Sequence, residues 1–200
     1  MSSPPPRREP WLSFLQGALG LAVVAIILSA LGLVLMVALA AADTGRWPVT
    51  IPVTGALAGA AADLPAGVRV TGPTRVTLEL DLGQTLLFAL GALPSLLVGL
   101  GVAVPLLRTL REAIAGEVFT AANARRVRLV GLLLVFGSLA ATAAQRLTGW
   151  LIARDALGDL AGGPYLQPPW AAVAAGLAVL AVTELFRRGV LLRAELDEVV

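Results

Sequence analysis

From Trp11 to Ala42 the chain is apolar almost without a break, with only Ser13, Gln16 and Ser29 as polar interruptions. About 20 consecutive apolar residues span the hydrocarbon core of a bilayer. A helix over this block is therefore long enough to cross a membrane with tilt or protrusion to spare. Three further apolar blocks follow, from Gln84 to Leu107, Leu129 to Leu147 and Ala171 to Phe186. The last is short, but Trp170 can anchor one end and the stems of Arg187 and Arg188 can snorkel at the other. With 58% hydrophobic and 14% charged residues in 200, and a mean hydropathy of +0.86, the chain lies outside the range of soluble domains, which run about 45–50% apolar and about 25% charged. The expected fold is a mainly α membrane protein, a four-transmembrane-helix bundle with helices over approximately 11–42, 84–115, 121–147 and 170–193. Pro94 and Pro105 are expected to kink the second helix, and residues 148–170 to form a loop with a short helix near 151–160.

A cleaved leader is the competing reading of the first block, with Arg7 and Arg8 ahead of it and Ala38-Leu39-Ala40 as a cleavage site. A leader's apolar region is about 7–15 residues, and this one is much longer, so the first span is expected to be retained. Residues 1–10, proline-rich and polar, are expected to be disordered and cytoplasmic.

Residues 43–82 have a different texture. Val49, Ile51 and Val53 alternate with Thr50, Pro52 and Thr54; Val76, Leu78 and Leu80 alternate with Arg75, Thr77, Glu79 and Asp81. Val68 and Val70 suggest a third strand, with Gly72-Pro73 as the turn. Period-two alternation bounded by Gly and Pro marks half-buried strands. This segment is expected to be a small extracytoplasmic β-sheet between the first two helices, with an irregular loop as the alternative.

All 15 basic residues are arginine. In a four-span layout, Arg7, Arg8, Arg108, Arg111, Arg125, Arg126, Arg128, Arg187, Arg188 and Arg193 share one side. Arg46, Arg69, Arg75, Arg146 and Arg154 fall on the other. Positive residues near membrane spans stay in the cytoplasm, so both termini are expected there. Trp11, Trp47, Trp150 and Trp170 all sit at block edges, as an interfacial aromatic belt would.

The chain has neither Cys nor His. Thiol chemistry, disulfides and histidine acid–base catalysis are therefore excluded. No phosphate-binding glycine loop, nucleophile elbow or paired carboxylate motif is present. The reading is a non-enzyme with no cofactor and no metal. The arginines flank apolar blocks rather than forming a stripe with aromatics, which argues against direct nucleic-acid binding.

The most distinctive polar stretch is the loop 111–128, REAIAGEVFTAANARRVR. Thr120 is placed to cap the third helix by accepting from the N–H near Asn123, and Asn123 holds the position from which a capping-box side chain reaches back. Arg125, Arg126 and Arg128 crowd the membrane boundary. They read either as orientation-setting charges or as a docking surface for a partner.

This loop and the C-terminal stretch ELFRRGVLLRAELDEVV resemble a bacterial membrane family catalogued as domain of unknown function 2975. Gly116, Phe119, Thr120, Asn123, Arg126, Arg128 and Gly131 fit one family pattern. Phe186, Arg187, Gly189, Leu192, Glu195 and Asp197 fit a second, although the Glu198-Val199-Val200 ending departs from the family's usual one. The resemblance implies a multi-pass membrane protein whose four-span layout covers nearly the whole chain. It also implies a gene that neighbours a small helix-turn-helix regulator.

Glu184 is the only acidic residue inside an apolar block, and an intramembrane charge is a functional candidate by default. Arg187 and Arg188 stand three and four residues on, where a helix would pair them with it; Arg125 or Arg126 could also reach it. Gly91, Ser95, Gly99 and Ala103 recur every four residues along one helix face, a spacing that admits a close neighbour in this bundle or in a second copy. The expected function is a regulatory or scaffolding membrane component, with the bilayer and a cytoplasmic protein partner as its contacts. The alternative is a small transporter or permease-like component, which needs a polar cavity, for instance near Glu184 and Gln145.

Overall fold

A computed structural model describes residues 10–42, 48–53, 68–72, 75–114, 120–164 and 166–197. Five α-helices and three strands follow in the order α1 (Pro10–Ala41), β1 (Pro48–Pro52), β2 (Arg69–Gly72), β3 (Arg75–Glu79), α2 (Leu82–Ile114), α3 (Ala121–Leu132), α4 (Ser138–Leu157) and α5 (Trp170–Asp197). A π-helical turn, Leu133–Gly137, joins α3 to α4, and a 3-10 turn, Gly158–Ala161, closes α4. Among the described residues three helical stretches are long and apolar enough to cross a membrane: Phe14–Ala41, Leu82–Ile114 and Ala122–Ala161. Trp170–Leu185 is a shorter apolar helix. Their surfaces carry large apolar side chains in the open, among them Phe14 at 75% exposure and Leu97 at 67%. Water does not reward such surfaces, and lipid accommodates them.

By its internal contacts the chain forms two compact units: unit 1 holds residues 1–27, 97–138 and 170–200, and unit 2 holds 28–96 and 139–169.

Unit 2 contains the sheet. Its order is β1-β3-β2 and both pairings are antiparallel, so β3 is central. Ile51 opposes Val76 and Val49 opposes Leu78, while Thr50 faces Thr77 with the two hydroxyl oxygens 3.0 Å apart. The alternation works as period two requires: Ile51, Val53, Val76, Leu78 and Leu80 are buried, whereas Thr50, Arg75 and Glu79 are exposed. The third strand does form around Val70; the turn residues 73–74 lie outside the described set. Ile152, Ala153, Leu157 and Ala161 complete this core from α4 and its closing turn.

That packing corrects the expectation of a loop from residue 148. The helix continues to Leu157 because Ile152, Ala153, Ala156 and Leu157 form an apolar stripe against the strands. Gly149 does not break it; a Cβ there would sit 3.3 Å from Ile51 Cγ2, so the missing side chain makes room for β1. Gly158, at φ +57°, then takes the left-handed conformation that ends many helices.

The start of α2 is a reciprocal cap. Asp81 Oδ1 accepts from the Gln84 backbone N–H at 2.7 Å, and Gln84 Oε1 accepts from the Asp81 N–H at 3.3 Å. This is the capping-box exchange, with Asp and Gln in the two roles. Gln84 Nε2 also donates to Asp155 Oδ2 at 2.8 Å, tying the start of α2 to α4. The helix then runs unbroken through Pro94 and Pro105 to Ile114.

Unit 1 is helical. Its tightest crossing joins α3 to α5. A Cβ on Gly176 would lie 2.9 Å from the Gly131 carbonyl oxygen, and one on Gly131 would lie 3.2 Å from that of Gly176. The backbones approach this closely because both positions lack a side chain. The π turn follows at once. Its extra residue re-phases the helix, and the Ser138 hydroxyl donates to the Leu134 and Val135 carbonyls. Val135 is buried and would meet any Cβ on Gly176. In the α2 stripe of small residues, Gly91 faces Thr148 within unit 2 and Gly99 faces Ile26 within unit 1.

Candidate functional site

Two arrangements of polar residues are available, one in each unit. The first contains the loop residues singled out by sequence. Thr120 caps α3 as expected, its hydroxyl accepting from the Asn123 N–H at 3.1 Å. Asn123 is 97% buried by its relative exposure of 3%. Its Oδ1 accepts from Arg126 Nη1 at 3.0 Å, and the same nitrogen donates to Glu112 Oε1 at 2.5 Å. Arg126 therefore joins the last turns of α2 to the first turn of α3. Its side chain and that of Glu112 are 29% and 34% exposed, so solvent screening keeps the pair to about 1 kcal/mol or less.

Arg126 pairs with Glu112, a residue the sequence reading gave no role. Glu184 is half-buried on α5, next to the buried Thr183, whose hydroxyl donates to the Val179 carbonyl. Around the Arg126 cluster, Arg108, Arg111, Arg125 and Arg128 are all exposed. Of the remaining family-pattern positions, Gly116 and Phe119 lie outside the described residues. Phe186, Arg187 and Gly189 lie on α5 with side chains outside that description.

The second arrangement is a cavity of about 750 Å³ in unit 2, lined from β1, the start of β3, α2, α4 and the stretch before α5. Its polar lining includes Arg75, Arg146, Gln145, Gln167, Thr50 and Thr142, and its apolar lining includes Ile51, Val53, Phe88 and Ala92. Trp150 also lines it and is held in place: its indole Nε1–H donates to the Gly162 carbonyl at 2.8 Å, and the Arg154 guanidinium lies 5.2 Å from the ring centroid. A cavity of this size, mostly apolar with a few converging polar groups, is the usual form of a small-molecule site. Sequence reasoning placed a possible cavity near Glu184 and Gln145; of these two, Gln145 is in this lining and Glu184 is not. Arg75 and Gln145 are 70 positions apart, and only the register of β3 and the extension of α4 bring them to one lining.

Fold and surface together define the class: a mainly helical protein with three membrane-length apolar helices and a small antiparallel sheet. A protein-family model described as "Protein of unknown function (DUF2975)" matches residues 58–200. The chain belongs to this family. The match begins later than the resemblance implied, since α1 and β1 precede residue 58. It takes in the Thr120–Asn123–Arg126 cluster and all of the cavity lining except the part from β1. No curated protein and no solved structure matches the chain.

Proposed function

We propose that the chain is a multi-pass protein of the bacterial cell membrane, with α5 as a fourth crossing and both termini in the cytoplasm. In this reading it acts as a non-enzymatic regulatory or scaffolding component, docking an acidic segment of a cytoplasmic protein such as a helix-turn-helix regulator encoded nearby. The observation that carries it is the division of labour among the unit 1 arginines. Arg126 is committed to Glu112 and Asn123, whereas Arg108, Arg111, Arg125 and Arg128 point outward. Exposed arginines at the boundary of apolar helices hold the protein's orientation and offer charge to an anionic partner.

The sequence contains no Cys, so single cysteines report orientation without background. In intact cells a membrane-impermeant maleimide should label Gln167→Cys but reach Arg125→Cys only after permeabilisation. The reverse pattern overturns the orientation. Photocrosslinks placed at Arg111 should be lost on the combined change Arg108→Ala, Arg125→Ala and Arg128→Ala. Crosslinks that persist would remove the docking role while leaving the orientation intact.

A second reading, a small transporter or permease-like component, is favoured by one observation, the unit 2 cavity with Gln145 in its lining. Movement of a radiolabelled solute into proteoliposomes is the measurement that would promote it.

A further inference from the structure

The described lining of the unit 2 cavity carries charge of one sign. Two arginines, Arg75 and Arg146, reach it, together with the amides of Gln145 and Gln167 and the hydroxyls of Thr50 and Thr142, but among the described residues no Asp or Glu does. A concave site with charge of one sign concentrates the field and draws in ions of the other. Arg75 is exposed at the first position of β3 and makes no ion pair among the described residues. Guanidinium groups recognise phosphate and carboxylate through paired N–H donors.

The remainder of the lining is apolar. Ile51 belongs to β1, Val53 follows it directly, and Phe88, Gly91, Ala92 and Ala153 belong to the apolar helices α2 and α4. A volume of about 750 Å³ lies well within the roughly 300–1,000 Å³ range of organic-ligand sites. A bare inorganic anion would leave most of it unfilled. Trp150 is already fixed by its bond to Gly162, so one aromatic wall needs no ordering when a ligand enters.

We propose that this cavity binds an anionic amphiphile, a phosphate or carboxylate head met by Arg75 and Arg146 with an apolar body laid along Phe88 and Ala92. Such a ligand could be drawn from the bilayer as a lipid or taken from water as a soluble amphiphile; the head-and-body chemistry is the same. The site belongs to unit 2 alone, and its proposal does not rest on the docking surface proposed for unit 1.

The test uses full-length protein in a non-ionic detergent, with Trp150 as the sole tryptophan (Trp11→Phe, Trp47→Phe, Trp170→Phe). Hexyl phosphate should change Trp150 fluorescence in a saturable way. Hexanol and inorganic phosphate should each bind at least about tenfold more weakly, each having lost one half of the recognition. Arg75→Gln should weaken hexyl phosphate about tenfold at an unchanged melting temperature. Ala92→Leu, which fills the apolar part, should weaken hexyl phosphate and leave inorganic phosphate as it was. Equal affinity for hexyl phosphate and hexanol overturns the anionic head. Equal affinity for hexyl phosphate and inorganic phosphate overturns the apolar body. An Arg75→Gln protein that binds like the parent overturns the site, and Arg146→Gln repeats that comparison if Arg75→Gln fails to fold. In phosphatidylcholine nanodiscs, added phosphatidic acid that competes with hexyl phosphate identifies a lipid source, and its failure to compete identifies a soluble one.

Discussion

The two units solve the problem of holding helices together in opposite ways. Unit 1 brings backbone against backbone at Gly131 and Gly176 and joins α2 to α3 through the Arg126–Glu112 ion pair. Arg108, Arg111, Arg125 and Arg128 are exposed. Unit 2 holds α2 and α4 with a sheet, a cap and large side chains, and its polar groups converge on a cavity. Packing by small residues brings surfaces close and leaves little space between them. Packing by a strand layer spreads the elements apart and leaves room for a ligand. The contrast leaves exposed arginines in one unit and a cavity in the other.

The contrast is most easily broken at Gly176. A leucine there would meet Val135 Cγ2 at 2.7 Å from its first carbon alone, and the Gly131 carbonyl at 2.9 Å. We expect Gly176→Leu to cost about 3 kcal/mol or more, read as loss of folded protein or a large fall in melting temperature in detergent. Gly32→Ala in α1, with nothing within 4 Å of the added carbon, should change stability by less than about 1 kcal/mol. If both are tolerated alike, close packing is not what holds unit 1. Ile152→Ala should cost about 2–4 kcal/mol, because this side chain is fully enclosed between α4 and the strands. The loss should also release the end of α4, seen as faster amide exchange over 150–157. The smallest effect belongs to the α2–α3 pair. Glu112→Gln should lower stability by about 1 kcal/mol or less, and the difference should shrink with added salt.

Much of the secondary structure was legible in the sequence because it rests on local patterns. The Val76-Leu78-Leu80 alternation gave the central strand, and Thr120 ahead of Asn123 gave the cap of α3. The Asp81-Leu82-Gly83-Gln84 capping box was equally local, but Asp81 also continues the polar face of the Val76-Leu78-Leu80 alternation, so the strand period and the cap compete for the same residue. What could not be read was set by tertiary contact. The continuation of α4 depends on β1 and β3 accepting its stripe. The α2 series does admit close neighbours, Thr148 at Gly91 and Ile26 at Gly99, but the backbone-to-backbone approach at Gly131 and Gly176 has no local pattern, because one glycine from each of two distant segments must meet. The cavity has no signature in any window, since Arg75 and Arg146 carry no mark that separates them from orientation-setting arginines.

The hydrogen bond from Gln84 to Asp155 spans 71 residues. The mutual cap of Asp81 and Gln84 is available as soon as those residues leave the ribosome, but the bond to Asp155 must wait for the rest to be made. At about 5–20 residues per second, that interval is on the order of 4–14 seconds. During it the sheet and the start of α2 stand without the helix that covers Ile51, Val76 and Leu78. The nascent protein thus passes through a stage in which a small, uncovered β-layer waits for its lid. That stage is the natural moment for a chaperone or a quality-control protease to inspect it.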